Sequence, residues 1–113
     1  MTLPRSDLLQ GTLDMLILRV LQSEAKHGYA IAERILQLSA EVFEVNQGSL
    51  YPALQRLLRA GWVRAEWRRT ESNRRARYYG LTPAGRNQLE REMKSWERTS
   101  EAVNRILSPA AEG

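Results

Sequence analysis

The chain has 113 residues and 42% hydrophobic side chains, enough for one compact domain with a modest core and too many for a disordered chain. With no Cys and a single His, His27, it has no disulfide framework, no thiol nucleophile and no Cys or His cluster to hold a metal, and a reducing cytoplasm is the expected setting. Its net charge of +4 is concentrated in one stretch: residues 47–79 hold eight Arg against Glu66 and Glu71, whereas residues 1–46 are net −2 and residues 80–113 are neutral.

No apolar run is long enough to cross a bilayer, and the opening MTLPRSDLLQGTLD carries Asp7 and Asp14 where a secretory leader needs apolar residues. A first helix is predicted over Thr12–Ser23, with Leu13, Leu16, Ile17, Val20 and Leu21 as its core stripe, widened by Met15 and Leu18. EAKHGY reads as a turn. A second helix follows over Tyr29–Ser39 with Ile31, Ile35 and Leu38 inward, and Val42, Phe43 and Val45 suggest a short strand after it.

The third helix reaches Ala60, with Leu50, Leu54, Leu57 and Leu58 on one side and Gly61 as its stop signal. Ser49 is a candidate N-cap, which places Pro52 in the first turn; with Asn46 as the cap, Pro52 lies a turn further in and bends the helix start. The period then changes to 2. Val63, Ala65 and Trp67 alternate with Arg64, Glu66 and Arg68, the polar ESNRR turns the chain, and ARYYGL returns, which makes a β-hairpin with an Arg-rich tip. Thr82 and Pro83 open the last helix, whose Leu89, Met93, Trp96, Ser100, Val103 and Leu107 step by 4, 3, 4, 3 and 4 before Ser108-Pro109.

This order is mainly α with a small β-hairpin: a winged helix-turn-helix over residues 1–81, a C-terminal dimerisation helix over 82–108 and a frayed tail over 109–113. Opposite the inward leucines of the third helix lie Gly48, Pro52, Gln55, Arg56 and Arg59, with Ser49 beside them and Tyr51 on the flank. Small residues at such a start let the backbone approach a major groove, and Gln and Arg beyond them reach base edges. Arg68, Arg69, Arg74, Arg75 and Arg77 on the hairpin suit phosphates or the minor groove. Tyr29 opens the helix that crosses the DNA backbone in this motif, with core packing as its other reading. His27 reads as a surface or capping residue, and Trp62 and Trp67 as core and wing packing. The apolar seam of the last helix is longer than a small monomer buries and favours pairing with a second copy. No nucleophile stands beside a base and no Gly-rich loop ends in Lys, so neither an enzyme nor a cofactor is expected. Spacing alone leaves one alternative open, a winged-helix protein-docking adaptor with no DNA role. Steep salt dependence of duplex binding separates the two.

HGYAI, then GSLYPALQRLLRAGWV, then RRARYYGLTPAG, in that order, closely resemble the PadR family of bacterial transcriptional regulators, and the likeness runs from Leu9 to Leu107. The short single final helix is similar to the compact subgroup. The resemblance implies a homodimeric repressor on a palindromic double-stranded DNA operator, released by a small-molecule effector or by stress. It matches Gly48, Ser49, Leu50, Tyr51 and Pro52 to the recognition-helix motif and Arg77, Tyr78 and Tyr79 to the wing's return strand. It also implies that Trp96, with Met93 beside it, borders a gap between protomers that takes a flat apolar or aromatic effector.

Overall fold

The computed structural model describes residues 10–109. The expectations placed on Asp7 and on residues 110–113 fall outside them. Four helices, α1 (Gln10–Val20), α2 (Gly28–Leu38), α3 (Gln47–Arg59) and α4 (Pro83–Leu107), and three strands, β1 (Lys26–His27), β2 (Val63–Arg69) and β3 (Arg75–Leu81), follow in the order α1-β1-α2-α3-β2-β3-α4. The fold is a winged helix with a long C-terminal helix. The sheet is antiparallel with β3 in the middle, flanked by β1 and β2.

One core joins these elements. Ile17, Leu18 and Leu21 from the α1 region meet Ile31 and Ile35 of α2 and Leu50, Ala53, Leu54 and Leu57 of α3. Val63, Tyr79 and Leu81 close it from the base of the hairpin, and Leu89 from α4. The helical residues follow the 3.6 period and the strand residues the period of 2, so each element offers one apolar side to a shared interior. Each fully buried Leu or Ile contributes about 1.5–3 kcal/mol of transfer free energy.

Four departures from the sequence reading concern the elements themselves. First, α1 ends at Val20, because the Gln22 amide bonds to the Arg19 carbonyl at 3.2 Å and tightens the chain into a turn. Second, Leu38 is exposed. Its stripe runs past the end of the core, and Ala40 and Glu41, both at positive φ, turn the chain away. Third, no strand forms at Val42–Val45. β3 already has a partner on each side, and the Ser39 hydroxyl instead accepts the Phe43 amide, leaving Phe43 and Val45 packed against the core from a loop. Fourth, the stretch read as a plain turn contains β1, where Lys26 and His27 pair with Tyr79 and Tyr78.

The α3-to-hairpin and hairpin-to-α4 corners meet at one place. Gly61 adopts φ +77 just after α3, a conformation that only glycine takes without strain. The Thr82 hydroxyl donates to the Gly61 carbonyl at 2.7 Å and accepts the Gly85 amide at 3.0 Å, so one side chain caps α4 and ties it to the end of α3. Gly85 lies under the Trp62 carbonyl, where a Cβ would overlap the oxygen. This close approach directs α4 past α1. The helix continues for 25 residues, about 37 Å at 1.5 Å per residue. The molecule is correspondingly elongated, with extents of 60 × 37 × 22 Å.

Candidate nucleic-acid interface

The start of α3 is set by Asn46, whose side chain accepts the Ser49 amide at 2.9 Å. Asn46 is therefore the cap and Ser49 is not. Asn46 reaches the open amides first, so the helix begins at Gln47 and Pro52 lies inside it. Pro52 has no amide to offer the Gly48 carbonyl one turn earlier, which leaves that acceptor on the outer side of the helix. Gly48, Ser49, Tyr51, Pro52, Gln55 and Arg59 are all exposed and form one continuous small-then-polar surface.

Arg56 is not part of that surface. Its guanidinium bonds both oxygens of Asp14 on α1, Nη2 to Oδ1 at 2.8 Å and Nε to Oδ2 at 3.3 Å. The residue sits about 120° around the helix from the leucine stripe, on the flank that faces α1 rather than at the back. The pair is largely shielded, with 30% of the Arg side chain and 13% of the Asp side chain exposed. Arg56 thus fixes the roll of α3 against α1. A double-mutant cycle on Asp14→Asn and Arg56→Lys is expected to give a coupling of about 1–2 kcal/mol in unfolding free energy. A coupling near zero would remove this role.

The hairpin carries its cations outward from a buried base. Val63 pairs with Leu81 at the core end, and Arg69 stands opposite Arg75 at the tip. Like charges face to face are unfavourable unless an anion lies between or beside them. Arg68 pairs with Glu66 and lies 5.2 Å over the Tyr78 ring. Arg69 bonds Asn73 at the turn, and Arg75 lies 4.9 Å over the Trp67 ring. Arg74 is exposed and its side chain has no partner among the described residues. Trp67, on the same side as buried Val63, is itself exposed because the strand has left the core by that point; it serves as a shelf for Arg75. Arg77 lies 6.0 Å over the ring of Tyr79, whose phenol is pushed up by burial, a shift that Arg77 partly offsets.

Between α3 and the hairpin lies the start of α2. Tyr29 is 73% exposed, which removes core packing as its role. Its ring borders two grooves, one shared with Tyr51 and Leu50 toward α3, the other running toward the wing. His27 is the N-cap of α2, its Nδ1 accepting the Ala30 amide at 3.3 Å. This is the capping role that the sequence offered for it, although Ser, Thr, Asp and Asn are the commoner caps.

On α4 the heptad-like seam divides. Leu89 is 1% exposed and belongs to this chain's own core, so it is not available for pairing. Its spacing matches the seam, but the first turns of α4 are still packed on the domain. Met93, Trp96, Val103 and Leu107 lie beyond that point and are exposed, as is Ile106. A groove of about 310 Å³ runs between α1 and α4, lined by Thr12, Met15, Glu92 and Trp96 among others. Burial pushes the Glu92 carboxyl up, Gln88 lowers it and Asp14 raises it further. The Glu92 Oε2 has no hydrogen-bond partner among the described residues.

Known proteins share this arrangement. A sequence model of the transcriptional regulator PadR-like family matches residues 17–91. A transcriptional regulator from Clostridium thermocellum is similar in structure, with a TM-score of 0.81 and 28% identity over 91% of this chain and 100% of its own. A PadR-like transcriptional regulator from Bacillus cereus gives 0.77 and 28% over 91% and 98%. A padr family transcriptional regulator from Eggerthella lenta gives 0.73 and 29% over 88% and 85%. No described helix is long and apolar enough to cross a membrane. With more than half its length matched and the winged helix in place, the chain belongs to the PadR-like family and is a DNA-binding transcriptional regulator.

Proposed function

We propose that this regulator works as a homodimeric repressor on a palindromic operator. What supports pairing is the far half of α4, where Trp96, at the edge of the groove with α1, is 51% exposed and Leu107 is 73% exposed. Contiguous apolar surface of this kind is rare on monomers. Two-fold pairing through it gives two copies of α3 on one assembly, the symmetry that a palindrome mirrors. Gln55 reads base edges, Gly48, Ser49, Tyr51 and Pro52 allow the close approach, and Arg59 with Arg69, Arg74 and Arg75 holds the backbone, while Arg68 and Arg77 are engaged by Glu66 and by the Tyr79 ring. Arg56 positions the helix instead of reading bases. Residues up to 81 form the reading domain and the helix after them pairs the two copies, with Leu89 in the domain's core.

A flat apolar or aromatic effector fits beside Trp96 and Met93, and its occupancy shifts the dimer from the DNA-competent spacing. The test is selection of bound genomic fragments with the purified protein. The expected result is an inverted repeat whose half-sites lie about one helical turn apart. An asymmetric single site would overturn the homodimeric reading.

A further inference from the structure

We infer that the groove between α2 and the wing seats one strand of the DNA backbone, and that His27 is a neutral phosphate donor within it. This rests on the DNA-binding reading and adds a residue and a type of contact to it. The groove encloses about 890 Å³, with His27 and Tyr29 on the α2 side and Arg74, Arg75 and Tyr78 on the wing side. Tyr29 and Glu33 also border the α3 groove that contains Tyr51, so the two grooves adjoin at these residues.

Three contacts orient the imidazole. Nδ1 accepts the Ala30 amide at 3.3 Å. The ring lies parallel to that of Tyr29, with centroids 6.4 Å apart, and meets the Tyr78 ring edge-on at 5.4 Å. The backbone of His27 is fixed by its pairing with Tyr78 in the sheet. A nitrogen that accepts carries no proton, so the neutral ring has its proton on Nε2. The cap therefore dictates the tautomer, and the tautomer leaves one N–H donor as the ring's unused polar group.

Charge in the groove is nearly balanced, since Lys26, Arg34, Arg74 and Arg75 face Glu24, Glu33 and Glu71. Lys26 is already engaged by Glu24 at 3.3 Å. A phosphate at the α2 end is thus met by an oriented neutral donor, whereas the wing tip offers free cations. The two kinds of contact differ in one measurable way. A cation displaces counterions and contributes to the salt slope, and a neutral donor does not.

The experiment is binding of wild type, His27→Asn and Arg74→Ala to mixed-sequence duplex DNA across a salt series at one fixed pH. Asn preserves the cap, and its amide ends short of the Nε2 position. Expected is a roughly tenfold loss for His27→Asn at every salt concentration with an unchanged slope. Arg74→Ala is expected to flatten the slope by about 0.9. Wild-type affinity in His27→Asn would reduce His27 to a cap, and a flattened slope would make it a cation; either overturns the inference while DNA binding stands. Absence of wild-type binding would overturn both. Imidazole nitrogen NMR of the wild type needs no variant, because His27 is the chain's single His. A protonated Nε2 that shifts on adding duplex is expected, and an unmoved signal overturns the contact.

Discussion

Replacing Arg68, Arg69, Arg74 and Arg75 with Ala is expected to lower affinity for any duplex by roughly 10²–10³ per reading head at about 0.1 M salt, and to flatten the salt slope by about 2.7. The figure follows from counting cations that can reach phosphate. Arg68 is held by Glu66, which leaves three contacts on each wing. Each is worth about 0.9 in the slope, and the electrostatic part of the affinity vanishes near 1 M salt. The loss should be equal on operator and random sequences, because phosphates carry no sequence information. Stability should stay within about 1 kcal/mol of wild type. The four side chains are exposed, and losing the Arg75–Trp67 contact is offset by relief of the Arg69–Arg75 opposition. Equilibrium binding across a salt series checks this, and an unchanged slope would take the wing off the DNA.

Placing two carboxylates on the far half of α4, as Val103→Glu with Leu107→Glu, is expected to convert the protein from dimer to monomer. Both side chains are exposed in the single chain, at 46% and 73%, so neither holds the domain together. Thermal unfolding and helicity at low concentration should change little. Desolvating four carboxylates at a two-fold interface is prohibitive, so pairing fails. Operator affinity should then fall by about 10²–10⁴, the gain that linking two heads supplies, while binding of a single head to random DNA persists. Sedimentation at micromolar concentration reads the outcome. A wild type that sediments as a monomer, or a variant that still pairs, would remove α4 from the interface.

Most of the exposed side of α3 was legible because the helix follows one period throughout. Leu50, Leu54 and Leu57 define an inward side, and Gly48, Pro52, Gln55 and Arg59 fall opposite it without any knowledge of neighbours. The cap was ambiguous because Asn46 and Ser49 lie three residues apart and compete for the same open amides. Arg56 was misplaced because a flank position is decided by what stands beside the helix, and Asp14 lies 42 residues away in sequence. The two-residue β1 has no periodicity to detect. Its partner strand exists only once the hairpin has folded back. Leu89 and Val103 occupy equivalent seam positions, yet one is buried and one exposed. Heptad spacing records which side of a helix is apolar. It does not record whether the apolar partner is the same chain or another.

The most direct measurement of the central claim, that the α3 surface and the wing together bind DNA, is the dissociation constant of the wild-type protein on mixed-sequence duplex as salt is raised from about 50 to 300 mM. Three free cations on each wing, with Arg59 beside them, lead to a log–log slope of about −3.6 for each reading head. A slope near zero, or no binding at the lowest salt, would contradict it.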